Sequence, residues 1–250
     1  MGLLVEGVWQ QDGVRTKDGH FIRPAPRFRS WVTPDGGAGP SGEGGFKAAA
    51  GRYHLYVSLA CPWAHRTVIF RKLKALENII SMSVVSPDML KDGWTFNKEE
   101  GSTGDDVNGK SKLSEIYLLA DPKYTGRVSV PVLWDKERKT IVNNESSEII
   151  RMLNSAFDGL TNVRSDYYPQ ALRGQIDRLN DLVYSNINNG VYRAGFATTQ
   201  EAYEQAFRNV FDALDEIEQT LSQQRYLVGS TITEADWRLF PTLVRFDAVY

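Results

Sequence analysis

The pattern of apolar and polar positions changes character along the chain. Residues 1–50 hold neither a helical nor a two-residue period. The run Gly36-Gly37-Ala38-Gly39-Pro40-Ser41-Gly42-Glu43-Gly44-Gly45 cannot sustain a helix or a strand, because its glycines lose the most backbone freedom on ordering. This predicts a long, mostly irregular N-terminal arm. Its aromatic and basic side chains (Phe21, Arg23, Arg27, Phe28, Arg29, Trp31) predict that parts of the arm lie down on the folded body.

Residues 51–160 read as an α/β domain. Tyr53, Leu55 and Val57 alternate with His54, Tyr56 and Ser58, which predicts a strand, and Val68, Ile69, Phe70, Leu73 and Leu76 fall at helical spacing. The apolar run from Ile79 to Val85 completes a βαβ unit. Residues 86–126 mix Lys, Asp, Gly and Ser around Trp94 and Phe96, and are too long and polar for a tight connection, so they read as an insertion beside the sheet. Two further strands follow at Val130–Trp134 and Thr140–Val142, and a helix from about Ser146 to Phe157. Residues 166–250 read as an all-helical domain, with apolar positions at Leu172, Ile176, Leu179, Leu182, Val183 and Ile187, and again at Phe207, Val210, Phe211, Leu214, Ile217 and Leu221. Thr233-Glu234-Ala235-Asp236 predicts a capping box that opens a third long helix, continuing without a visible end to Tyr250.

Composition narrows the function. Twenty-nine Lys and Arg against 31 Asp and Glu give a net charge of −2 with no long block of one sign, which argues against a nucleic-acid partner and for a small polar substrate. No apolar stretch approaches the roughly 18 residues that span a bilayer, and the start lacks a secretion signal, which predicts a cytoplasmic protein with no membrane contact. The single cysteine, Cys61, excludes an internal disulfide, and the three histidines have no metal-ligand spacing, so no metal is expected.

Cys61 stands between the first strand and the first helix, in Ser58-Leu59-Ala60-Cys61-Pro62-Trp63-Ala64-His65-Arg66. Proline suits the first helical position, so Pro62 marks the helix start and Cys61 its cap. A sulfur there faces orphan amides and the positive end of the helix dipole, which favour thiolate. The competing reading is a buried, inert cysteine; the strand-to-helix turn and the Cys-x-x-Ala variant of a redox motif favour the reactive one. With no second cysteine, a mixed disulfide on Cys61 needs an external thiol to resolve it. His65, one turn on, reads as a packed helical histidine rather than a partner of the thiol.

Cys61-Pro-Trp-Ala-His-Arg66, Val130-Pro131, Asn144-Glu145-Ser146 and Thr233-Glu-Ala-Asp-Trp-Arg238 together resemble the glutathione transferase superfamily. The hexapeptide and the Gly93-Trp94 insertion resemble its Xi class, the glutathionyl-hydroquinone reductases. The resemblance implies a thioredoxin-like glutathione-binding domain, an all-α second-substrate domain and a homodimer. It implies no permanently bound cofactor, with glutathione as co-substrate and glutathionyl-hydroquinones as the second substrate. It assigns Cys61 as nucleophile and the glutathione contacts to Trp94, Arg127, Val130, Glu145 and Ser146. A cis bond before Pro131 is implied too, which would let the Val130 backbone pair with an extended peptide. Glu145 and Ser146 at a helix mouth suit the γ-glutamyl group, although plain capping would also explain the pair. Tyr192 and Tyr250 match tyrosines of the hydroquinone pocket, where a phenol can donate to ring oxygens or supply a proton.

The apolar face of the last helix (Trp237, Phe240, Leu243, Val244, Val249) has only two preceding helices to cover it, and the family continues further. The expectation is a helical domain with its C-terminal helices truncated. Two signals are set aside. The glycine run resembles a dinucleotide-binding loop but follows no strand, and Asn144-Glu145-Ser146 fits a glycosylation acceptor in a chain without a secretion signal. Two alternatives remain open: an Omega-like thiol transferase or dehydroascorbate reductase, and a non-catalytic glutathione-fold binding module.

Overall fold

A computed structural model of the chain describes residues 2–11 and 16–250. It divides into two compact units, one of the residues up to 11 with Pro24–Ser165, the other of residues 16–23 with Asp166–Tyr250. The arm expected over residues 1–50 is thus shared between the units; Met1 and residues 12–15 of it lie outside the described residues.

Most of the arm is irregular, but its described residues include four short strands. In the first unit β1 (Gly2–Val5) and β2 (Val8–Gln11) form a hairpin. Its two-residue loop is Glu6-Gly7, with φ of 46° and 80°. Positive φ at both central residues is what a primed turn requires, and glycine adopts it at no steric cost. In the second unit β3 (Thr16–Lys17) pairs with β4 (His20–Phe21).

The first unit is built on β5 (Tyr53–Val57), α1 (Pro62–Leu73), β6 (Ser81–Val84), α2 (Leu113–Ala120), β7 (Gly126–Arg127), β8 (Val132–Asp135), β9 (Thr140–Asn143) and α3 (Ser146–Ser155). Its four-stranded sheet runs β6-β5-β8-β9, with β5 and β6 parallel and the other pairs antiparallel. Leu55, Leu133, Ile141, Phe70, Ile149 and Leu153 are buried in its core, and α1 packs on α3 and β5. All five residues of β5 are buried. The insertion covers the polar side: the Tyr56 hydroxyl donates to Asp105 at 2.9 Å, accepts from Asn108 at 2.8 Å, and its ring lies 5.5 Å from that of Phe96. The arm returns along β9, where the Ser30 amide donates to the Val142 carbonyl at 3.0 Å and the Asn144 amide to Phe28 at 3.1 Å.

The second unit contains α4 (Arg173–Leu182), α5 (Gly190–Gly195), α6 (Gln200–Gln223), α7 (Glu234–Leu243) and α8 (Phe246–Val249), with a π-helical stretch at Val183–Asn188. Ile176, Val183, Ile187, Ala213, Ile217 and Leu239 form its core. The capping box at Thr233 is present: the Asp236 carboxylate accepts from the Thr233 amide at 2.8 Å and from its hydroxyl at 3.1 Å. The helix it opens does not run unbroken to Tyr250. It stops at Leu243, shortly after Pro241, whose missing amide removes one helical hydrogen bond, and α8 is a separate turn. No helix among the described residues is long and apolar enough to cross a membrane.

Candidate active site

The connection from β5 to α1, the entry to β8 and the exit from β9 lie at one edge of the sheet. The pairs Tyr56 with Val132 and Leu133 with Asn143 fix that register. Cys61 occupies the first of these loops as the N-cap of α1, with extended backbone (φ −86°, ψ 118°) and Pro62 at the first helical position. No acidic residue stands in the first turn of α1. The expectation that the sulfur itself faces the helix amides needs correction: it makes no capping hydrogen bond and turns to the Val130 carbonyl, 3.7 Å away. A thiol hydrogen seeks an acceptor, and that carbonyl is one.

Val130 is buried and its bond to Pro131 is cis. Arg127, half-buried, lies in β7, which pairs with β1 through Leu3–Arg127, and its carbonyl accepts from the Tyr124 hydroxyl at 3.2 Å. Trp94 is half-buried and its carbonyl accepts from the Leu113 amide at 2.9 Å. The turn before it is braced by the hairpin. The Trp9 indole donates to the Lys91 carbonyl at 3.1 Å, and its ring covers Gly93, where a Cβ would come within 2.7 Å. Gly93 has φ of +69°, so a side chain is opposed both by conformation and by the ring.

Glu145 caps α3. Its carboxylate accepts from the Ser147 amide at 3.0 Å and the Ser147 hydroxyl at 2.9 Å, so capping accounts for at least part of its presence. Ser146 is buried at the helix mouth, and the Arg66 guanidinium donates toward its hydroxyl at 3.4 Å. Arg66 is itself only 2% exposed and lies over the Trp63 ring at 4.7 Å. A cation buried beside a helix N-terminus adds to a potential that favours an anion there. Thus Cys61, Val130, Glu145 and Ser146 share the sheet edge, while Trp94 and Arg127 come from the flanking insertion and β7.

In the second unit Tyr192 stands on α5, half-buried, and Tyr250 follows α8 with 42% exposure. Their rings are 5.8 Å apart and edge-on. The arm packs on the same ring: Phe21 lies 6.3 Å from Tyr192, and the Arg23 guanidinium sits over it at 4.6 Å. Among the described residues no cluster of His, Cys, Asp and Glu could hold a metal ion.

Sequence reasoning missed the polar supports behind these loops. Asn143 accepts from the Glu145 amide at 2.7 Å and donates to Glu148 at 2.8 Å, and Arg29 of the arm pairs with Glu148 through its Nε and Nη2. The paired asparagines before an apolar helical period were the available signal, since short polar side chains at that place bond the orphan amides of a helix start.

Residues 60–156 match the family model of the glutathione S-transferase N-terminal domain, and residues 200–250 that of its C-terminal domain. The chain belongs to the glutathione transferase family, with a thioredoxin-like first domain and a helical second one. Within that family it is 58% identical over 253 residues to glutathionyl-hydroquinone reductase YqjG of Escherichia coli K12, covering 100% of this chain and 77% of that protein. The solved structure of glutathione-bound YqjG superposes with a TM-score of 0.91 at 55% identity, covering 100% of this chain and 76% of the other. The Xi class enzyme from Natrialba magadii gives 0.89 at 48% identity, covering 100% and 74%. Its class is therefore Xi.

Proposed function

We propose that this chain catalyses glutathione-dependent reduction of S-glutathionyl-hydroquinones to hydroquinones. The observation that carries the reading is the 58% identity, over the whole chain, to a protein named for that activity. The local chemistry agrees with it: a lone cysteine stands at the N-cap position of a helix beside a cis X-Pro bond, with a helix mouth and a buried arginine at the same sheet edge.

In this mechanism the Cys61 thiolate attacks the glutathione sulfur of the conjugate. The Cys61–glutathione disulfide forms, the carbon–sulfur bond breaks, and the ring carbon keeps the electron pair and takes a proton. Ketonisation of the hydroquinone beforehand makes that bond cleavable by a soft nucleophile, and a phenol, Tyr192 or Tyr250, is assigned the proton. A second glutathione thiolate then attacks the mixed disulfide, releasing glutathione disulfide and restoring Cys61. One conjugate and one glutathione thus yield one hydroquinone and one glutathione disulfide. Glutathione is held through the Val130 backbone, by Glu145 and Ser146 at its γ-glutamyl end, and by Trp94 and Arg127. A homodimer and a cytoplasmic location belong to the same reading.

Steady-state assay of a glutathionyl-hydroquinone with excess glutathione tests the proposal. Hydroquinone and glutathione disulfide should appear in equal amounts. Turnover of small mixed disulfides or dehydroascorbate with no cleavage of the thioether would replace it with an Omega-like activity, and glutathione binding without any turnover would leave a binding module.

A further inference from the structure

Two of the loops assigned to glutathione meet behind the site at one side chain that the sequence did not single out. Tyr117, on α2, is fully buried. Its hydroxyl donates to the Ser129 carbonyl at 2.8 Å and accepts from the Ser129 amide at 3.2 Å. The same oxygen accepts from the Asn144 side-chain amide at 3.1 Å. Ser129 directly precedes Val130, and Asn144 directly precedes Glu145. The ring is fixed as well: Tyr117 lies edge-on to Tyr124 at 5.0 Å and to Phe28 at 5.9 Å, and Tyr124 donates to the carbonyl of Arg127. Burial raises the Tyr117 pKa, so the hydroxyl stays protonated and keeps its donor.

We propose that Tyr117 is a positioning residue for glutathione: its hydroxyl sets the separation between the Val130 backbone and the Glu145-Ser146 helix mouth, so that one extended peptide reaches both. The inference rests on the glutathione-binding reading above and adds to it a residue outside the binding groups. A single oxygen with three hydrogen bonds to two loops suits that task, because two bonds hold Ser129, the third holds Asn144, and the buried ring cannot follow a shift of either. α2 thereby acquires a purpose in the site, although the insertion containing it supplies only Trp94 to the assigned contacts.

The test is Tyr117→Phe, which keeps the ring and its aromatic neighbours and deletes only the hydroxyl. Glutathione affinity, measured by calorimetry on the full chain, should weaken by about five- to tenfold, with KM for glutathione rising in parallel. kcat at saturating glutathione and the alkylation rate of Cys61 should stay within about twofold, because the hydroxyl touches neither reacting atom. Asn144→Ala removes the other end of the link and should weaken glutathione similarly, with the double variant no worse than either single one. It also provides the reading should Tyr117→Phe fail to fold. Glutathione affinity unchanged in the folded variants, with only the melting temperature lowered, would reduce Tyr117 to a core residue and overturn the proposal. Ser146→Ala separates this failure from that of the underlying reading. If it weakens glutathione while Tyr117→Phe does not, only the positioning role falls. If the unaltered chain binds no glutathione, both fall.

Discussion

His54 shows how a single buried side chain can carry a pH dependence. It is 3% exposed, its Nδ1 meets the Ser81 hydroxyl at 2.7 Å, and its ring lies edge-on to Tyr56 at 4.5 Å. Burial pushes its pKa down to about 4, against a smaller opposing pull from Asp105. The folded protein therefore holds it neutral where the unfolded chain, with a pKa near 6.5, takes up a proton. Stability is fully present above the unfolded value and is lost as pH falls from about 6.5 toward 4, by about 3 kcal/mol over that window. Denaturant unfolding at pH 7 and pH 4.5 checks this: His54→Phe should lose markedly less stability on acidification than the unaltered chain, and equal losses would contradict the assignment. Residues of this kind are hard to read from sequence. The position of Cys61 was legible because Pro62 fixes a helix start. His54 and Tyr117 stand in apolar periods whose polar partners, Ser81, Ser129 and Asn144, are distant along the chain or on other elements, and no local pattern marks such a meeting.

Among elements, β5 followed from its alternation and α1 from helical spacing, while β8 and β9 followed from short apolar runs joined by a turn. α2 did not, although Leu113, Ile116 and Tyr117 have helical spacing: it has barely two turns inside a polar segment that reads as loop. The β1–β2 hairpin was missed for a similar reason, since four-residue strands barely reveal a period. That hairpin joins two segments near the assigned glutathione contacts. The Trp9 indole braces residues 91–93, while β1 pairs with β7 and the Gly7 amide donates to Tyr124 at 3.1 Å. Replacing Trp9 with alanine should speed amide exchange at residues 91–94 and 124–127 by about tenfold or more, leaving α1 and α3 protected. Exchange unchanged at both segments would show that the brace is unimportant. α7 illustrates the opposite error. Its apolar face predicted a long helix, but Pro241 stands inside it and the helix ends two residues later, at Leu243.

For the whole molecule, the fold class was legible because the period switches from mixed to purely helical near residue 166, where the helical unit takes over. The path of the arm was not: residues 16–23 join the helical unit while residues 24–50 join the α/β unit, a choice made by contacts such as Arg23 on Tyr192 and Arg29 on Glu148 that no local sequence pattern encodes. In the proposed mechanism a single thiol takes glutathione from the conjugate before a second glutathione removes it. Mixing the protein with one equivalent of a glutathionyl-hydroquinone and no free glutathione, then measuring intact mass and released hydroquinone, tests it most directly. The expected outcome is one glutathione bound by disulfide to Cys61 for each hydroquinone released, discharged as glutathione disulfide when glutathione is added, and neither product with Cys61→Ala. Hydroquinone released without the adduct, or turnover retained by Cys61→Ala, would contradict it.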